Sequence, residues 1–539
     1  MSERTFRDLA DAYVTAAADL DPLLATELGL PTGQDRLPDL SPAGDEALAA
    51  LERDTLAALD AAGEPANPDE RRCARLLRER LGASAATRVL GEHLRNVQIL
   101  FGPVQSLRTV LTLAPTDTRE QRADLAARLA AVPEAFAGYA RTLREGAGRG
   151  LLAAPRQVDA VVEQLGSWAS VGWFGDFAAK AGLPTGSADA ASVALVGLRD
   201  FLAQDYRPRA EGVPDAVGEE RYRAAVRRWT GADVDPREAY DWAWTEFHRV
   251  HAEQAALAER ILPGSTPRAA MTHLETHGEI VEGVEAVRER LQGIMDDTIA
   301  ALQGTHVDLA PELLRVEAMI APEGSAAAPY YTQPSLDFAR PGRTWLPTLG
   351  RDRFPMWDLL TTWYHEGVPG HHLQLAQWAL CAGRLSTFQA SAGMISANVE
   401  GWALYAERLM DELGFLPDDG ARMGYLDAQM MRIIRVIIDI GMHLELDWEG
   451  ASWTPERARE FFGAHCGRDA VFLDSELLRY LGGPGQAISY KLGERAWLAG
   501  REAARAARGA DFDLKAWHMA ALSQGSLGLD DLEAELAVL

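Results

Sequence analysis

Leu and Ala recur every three or four residues, among Glu, Arg and Asp, through most of this 539-residue chain. Segments such as DEALAALERDTLAALDAA (45–62) and REQRADLAARLAAVPEAFAGYARTLREG (119–146) hold that spacing for several turns. Such a period places apolar side chains on one stripe of a helix, whereas a half-buried strand needs strict alternation. Ala, Leu, Arg and Glu are also strong helix formers. Breakers fall between the periodic runs, at LGLPTGQDRLPDLSP (28–42), AGLPTGSAD (181–189) and APEGSAAAPYYTQPSLDFARPGRTWLPT (321–348). A mainly α-helical protein is expected. The 321–348 stretch reads instead as extended chain or a short hairpin, a small β element walling a cleft. Its Tyr330 and Tyr331 are candidate substrate contacts, or plain packing anchors.

A chain of this length exceeds what one hydrophobic core usually serves. We expect a helical scaffold lobe over 1–320 and a second half, 321–539, carrying the chemistry-bearing residues. Apolar residues make up 47% and charged residues 24%, the balance of a folded globular protein. Acidic residues outnumber basic ones by 79 to 53, a formal charge of −26. A surface of that sign repels phosphate backbones and anionic lipid, which argues against nucleic acid and membrane as partners. Its use is solubility, or attraction of cationic substrates such as peptides with a free amine. Cys73, Cys381 and Cys466 are scattered singly, so neither a disulfide framework nor a thiolate metal cluster is expected. The N-terminal MSERTFRDLADAYV lacks the apolar core of a secretory signal, and no run of about 18 apolar residues could span a bilayer. The expectation is a cytoplasmic protein, monomeric or homodimeric.

The informative stretch is WDLLTTWYHEGVPGHHLQLAQWAL, 357–380. Apolar helical faces flank it: Leu359, Leu360 and Trp363 before His365; Leu373, Leu375, Ala376 and Ala379 after His372. In an HExxH arrangement two histidines four residues apart share a helix face, and the adjacent Glu reaches the metal-bound water. Here His365 and His371 are six apart, which in an undistorted helix leaves them about 120° off one another. Pro369 resolves the problem, because its ring clashes with the carbonyl four residues earlier, that of His365 itself. Gly367 and Gly370 add backbone freedom. A turn widened or partly unwound by two residues would return His371 to the place of an i+4 histidine. His372 is the rival ligand; it restores the face but lies about 10 Å along an ideal axis, too far for Zn–N bonds of about 2.0–2.1 Å. His371 is favoured, with His372 steadying the site from behind. Three histidines and a glutamate within eight residues, in a chain holding 12 histidines, point to a metal.

Catalytic zinc takes three protein ligands and leaves one position open. Downstream, SANVEGWALYAERLMDELG (396–414) is another helix-like run, and its Glu400 sits among Ala397, Val399, Trp402 and Ala403, where an unpaired carboxylate would be costly. Glu400 is the expected third ligand. Glu407, two turns later on the same face, would instead steady a histidine.

HEGVPGHHLQ, EGWALYAE and RYLGGPGQAISYKLG, in that order, resemble the bacterial DUF885 family, read as zinc metallopeptidases of a gluzincin-like kind with an HExxPGHH motif. LATELGLPTGQDRLPDLSP and YYTQPSLDFARPG are similar too, so the resemblance covers nearly the whole chain. It implies a two-lobed helical fold of the neurolysin, angiotensin-converting enzyme and carboxypeptidase Taq type, with the HE helix on the floor of a cleft. Those enzymes carry the shorter HExxH; the spacing here is closer to the HExxxH of dipeptidyl peptidase III, and one residue longer.

Hydrolysis also needs a group that stabilises the oxyanion. The segment RYLGGPGQAISYKLGER (479–495) offers Arg479, Tyr480, Gln486, Tyr490 and Lys491. By resemblance to gluzincins, Tyr490 is the first choice as oxyanion donor. Lys491 is a candidate for holding a substrate carboxylate, and Gln486 and Tyr480 are further candidate contacts. On LDAQMMRIIRVIIDIGMHLELDW (426–448), Arg435, Asp439 and His443 form one polar stripe on an otherwise apolar helix, which also carries Arg432. Such charges are paired or functional: either a salt-bridged support, with Asp439 behind the site, or substrate contacts, with Arg435 and above all His443 reaching it. The expected reaction is zinc-dependent cleavage of a peptide or small amide. Zinc polarises the carbonyl and acidifies its water, and Glu366 takes the proton and passes it to the leaving amine. The alternatives are a metal-dependent lyase or dehydratase acting on an amino-acid-derived or peptide-like metabolite, and a non-catalytic metal-binding protein.

Overall fold

Both long periodic segments are helices in the computed structural model, which describes residues 5–321 and 328–539. They form Pro42–Ala61 and Arg119–Gly148. Their starts have chemical causes. Ser41 accepts from the Ala43 N–H ahead of a first-turn proline, and Thr118 and Gln121 each accept the other's backbone N–H. The chain is mainly helical, with small sheets.

Packing separates two units. The first comprises residues up to Ala224 together with Leu478–Pro484; the second comprises Ala225–Leu477 and Gly485–Leu539. The division expected at 320/321 therefore falls inside the second unit. Helices Pro236–Ile261 and Val284–Leu302, grouped by sequence with the scaffold, pack on Asp419–His443 and on strand Val316–Ile320 respectively.

In the first unit, Phe6–Leu20, Pro42–Ala61 and Pro68–Val89 pack together, and Asp189–Phe201 lies against both Arg119–Gly148 and Pro155–Ser170. Leu107, Leu129, Phe136, Leu143, Leu165 and Leu195 belong to one apolar cluster there. Leu478–Pro484 joins this unit through the buried Gln157, whose amide donates to the Leu478 carbonyl at 2.8 Å.

The second unit is built around Asp419–His443, a helix buried on every side through its C-terminal half. Leu359–Glu366 lies against it and against Ser396–Glu412, which crosses Ser489–Arg508. That crossing is a backbone contact: a Cβ on Gly401 would overlap Gly493, and one on Gly493 would overlap the Ala397 carbonyl. The expected β element is present as a three-stranded sheet, in which Gly342–Leu346 pairs in parallel with Val316–Ile320 and antiparallel with Tyr330–Thr332. Residues 322–327 of the 321–348 stretch lie outside the described residues.

Gly493→Ala is expected to cost about 1–3 kcal/mol through overpacking and to lower the thermal midpoint. Gly82→Ala is the control. Gly82 is mid-helix with nothing within 4 Å of an added Cβ, so the change should leave the midpoint unchanged or raise it. Equal midpoints for the two variants would contradict the helix crossing.

Candidate metal centre

The helix that opens at Leu359 stops at Glu366, and a new one starts at His371 and runs to Leu380. The turn between them is fully broken rather than merely widened. Its Val368–Pro369 peptide is cis. Gly367 N–H still donates to Trp363 O at 2.9 Å, Gly370 N–H to Tyr364 O at 2.9 Å, and His372 N–H back to Gly367 O at 3.0 Å. Gly370 is obligatory, because a Cβ there would collide with the carbonyls of His365 and Tyr364. Pro369 O and Gly370 O accept from the Trp402 indole N–H at 2.9 and 3.1 Å, and Gly370 O also accepts from Gln374 N–H at 3.3 Å. The break brings the His365 and His371 rings to 4.8 Å between centroids, nearly perpendicular at 82°.

Glu400 closes the set. Its Oε2 lies 3.3 Å from His365 Nε2 and 3.6 Å from His371 Nε2. Bonds of about 2.0–2.2 Å at tetrahedral angles separate the donor atoms of one zinc ion by roughly 3.3–3.6 Å. Two imidazole nitrogens and a carboxylate oxygen are also the donor types that zinc accepts, so these residues fit the ion. Glu366 Oε2 lies 4.0 Å from His371 Nε2, and ligand-capable atoms of His365, Glu366 and His371 fall within 4.8 Å of one another. Glu400 Oε2 lies nearer His371 Nε2 than Glu366 Oε2 does. Side-chain exposure is 3% at His365, 10% at His371, 12% at Glu366 and 20% at Glu400.

His365 is held from behind. Its Nδ1 lies 2.8 Å from Glu407 Oε1, so in the neutral ring a proton kept there leaves the lone pair on Nε2, the nitrogen facing Glu400 and His371. Thr361 Oγ1 donates to the other Glu407 oxygen at 2.8 Å, and the Arg432 guanidinium lies 3.6 Å from Oε1. Burial alone would lower the His365 pKa, but its bonds to Glu400 and Glu407 lift it to about 9. The same two histidines outweigh burial at Glu400 and hold that carboxyl well below its usual range, while burial pushes Glu366 up. His371 Nδ1, by contrast, is buried with no hydrogen-bond partner among the described residues.

His372 faces elsewhere. Its Nε2–H donates to Leu313 O at 2.9 Å and its Nδ1 accepts from the Tyr331 hydroxyl at 2.9 Å, so both ring nitrogens are taken. Burial lowers its pKa to about 4. Tyr331 is thereby tied to His372, and the Tyr330 ring stacks on Trp345 at 5.9 Å.

Tyr490 is beside the centre, with its ring 6.4 Å from that of His365 and near parallel to it. The Arg435 and Arg432 guanidinium carbons lie 4.7 and 5.9 Å from the Tyr490 ring centroid. Arg435 also pairs with Glu476 at 2.7 Å. Asp439 accepts from Gly485 N–H at 2.9 Å and lies 3.8 Å from His443 Nε2, both side chains fully buried. The Arg435–Asp439–His443 stripe thus lies in the interior in ion-pair contacts. Lys491 is enclosed as well, donating to Gln429 Oε1 at 2.7 Å and to Glu494, which also takes Arg408 at 3.0 Å. Gln486 is buried, and Tyr480 belongs to the first unit. Sequence reasoning assigned no role to Thr361, Arg432 or Trp402. Thr361 stands one helical turn before His365, a spacing that could have flagged it.

His371→Ala should lose most of its bound zinc, and His372→Ala should retain substantially more, when metal content is measured on purified protein. The reverse order would exchange the two assignments.

The chain's closeness to known proteins extends over its full length. A crystal structure of a "putative lipoprotein" from Colwellia psychrerythraea superposes with a TM-score of 0.82 at 21% identity, covering 99% of this chain and 98% of that one. Another, a "putative lipoprotein of unknown function" from Shewanella oneidensis, gives 0.77 at 21% identity over 99% and 100%. At that identity the likeness shows the fold. No helix among the described residues is long and apolar enough to cross a membrane. No curated protein matches the chain. Residues 22–536 match the family described as bacterial protein of unknown function (DUF885), and the chain belongs to that family.

Proposed function

We propose that this chain is a zinc-dependent hydrolase of peptide or small amide bonds. The observation that carries the reading is the convergence of His365 Nε2, His371 Nε2 and Glu400 Oε2 at 3.3 and 3.6 Å, with Glu366 Oε2 4.0 Å from His371 Nε2. Three donors leave a fourth position for catalysis, whereas structural zinc sites are closed by Cys and His. When bound, the ion supplies Lewis acidity to the scissile carbonyl and to water. Glu366 accepts the proton of the attacking water and returns it to the leaving amine. Glu407 keeps the His365 proton on Nδ1, so that Nε2 stays a donor. Tyr490, whose ring lies 6.4 Å from that of His365, would donate to the developing oxyanion. A net charge of −26 favours substrates with a free amine over anionic ones.

Glu366→Gln tests the assignment. It should keep about one zinc per chain and lose roughly 10²–10⁴-fold in turnover, the usual worth of a general base. Loss of the metal as well would make Glu366 a ligand. Incubation of the zinc-loaded chain with a peptide library, read by mass spectrometry, should release new amino termini with the mass of one water added. Unsaturated products with intact amide bonds would replace hydrolysis by elimination, and stoichiometric activity untouched by strong chelators would end the metal reading.

A further inference from the structure

We infer that Arg432 is a positioning residue: by anchoring Glu407 it fixes the His365 ring and thereby sets how tightly the centre keeps its metal. This rests on the metal reading above and deepens it.

Glu407 is almost wholly buried, with 1% of its side chain exposed, so water does not solvate it. Its oxygens are divided among three groups. Oε1 takes His365 Nδ1–H at 2.8 Å and faces the Arg432 Nη2 at 3.6 Å; Oε2 takes Thr361 Oγ1 at 2.8 Å. Among the described residues, Arg432 is the one guanidinium or ammonium within ion-pair reach of this carboxylate. Arg432 is itself held, since Nη1 donates to Ala428 O at 3.3 Å and its guanidinium lies 5.9 Å from the Tyr490 ring. Arg435 does not substitute for it, because Arg435 pairs with Glu476.

The two imidazoles differ in how they are held. His371 Nδ1 has no partner among the described residues, so no hydrogen bond steadies that ring from behind. The hydrogen-bonded support of the donor pair therefore falls on His365, through Glu407. With Arg432 removed, Glu407 would be a buried charge without its compensating cation, a condition that strongly destabilises the remaining partner. Its hold on Nδ1–H would weaken, and ligand-orienting partners of this kind typically account for 10–100-fold in metal affinity.

The test is zinc affinity by competition with a chromophoric chelator on the full chain, with the thermal midpoint of the metal-free protein measured alongside. Arg432→Gln and Glu407→Gln should each weaken zinc binding 10–100-fold. The double variant should bind little worse than the weaker single, because both changes act through one bond. Arg432→Lys should recover part of the loss, since it restores charge without the planar fork. Arg432→Gln within threefold of the unaltered chain, or fully multiplicative losses in the double variant, would overturn the inference. Should Arg432→Gln fail to fold, Arg432→Lys decides: more than threefold weaker zinc binding at an unchanged metal-free midpoint supports it, and threefold or less overturns it. An unaltered chain that binds no zinc would instead remove the metal reading beneath it.

Discussion

One indole hydrogen bond donor, Trp402 Nε1, holds the break on which the centre depends. An unbroken helix would set His365 and His371 on different faces, whereas the Gly367–Gly370 turn ends one helix and lets the next begin at His371. Carbonyls buried in an irregular turn must find donors. Trp402 gives its indole N–H to Pro369 O and Gly370 O from the helix that also carries Glu400, two residues earlier. The support of the turn and Glu400 therefore belong to one helix. Glu407 lies two turns further along it, so His365 is bracketed by carboxylates of the same helix, Glu400 at Nε2 and Glu407 at Nδ1.

Charges around the centre are paired, Glu407 with Arg432 and Glu476 with Arg435. Such pairs are retained at a cost in desolvation, and breaking one leaves the other charge stranded. His371, Glu366 and Glu400 keep 10%, 12% and 20% of their side chains exposed. Helix Asp419–His443 contributes Arg432 and Arg435 and helix Ser396–Glu412 contributes Glu400 and Glu407, while the glycine contact at Gly401 and Gly493 brings the helix of Tyr490 against the latter.

Much of this was legible in the sequence. Leu and Ala spacing gave the long helices, because an amphipathic stripe needs only local regularity. Pro369 between two glycines announced a disrupted turn, and the apolar neighbours of Glu400 announced a carboxylate in need of partners, which His365 and His371 are. The division into units was not legible, because Pro236–Ile261 has the same amphipathic pattern whichever helix it covers. That His372 turns away from Glu400 depends on Leu313 and Tyr331, residues 59 and 41 positions away. Nothing local to a histidine reveals such partners. Lys491 illustrates the converse: beside a tyrosine in a glycine-rich segment it read as a substrate contact, yet Gln429 and Glu494 enclose it.

The seven residues Leu478–Pro484 belong to the first unit, although the chain on either side of them belongs to the second. Gln157 can meet the Leu478 carbonyl only after about 250 further residues beyond Ala224 have been made. At about 5–20 residues per second, the ribosome delivers that segment roughly 10–50 s after the rest of the first unit has emerged. During that interval the nascent unit is an unfinished fold with a polar group waiting for its acceptor, and the order of synthesis becomes part of how the native state is reached.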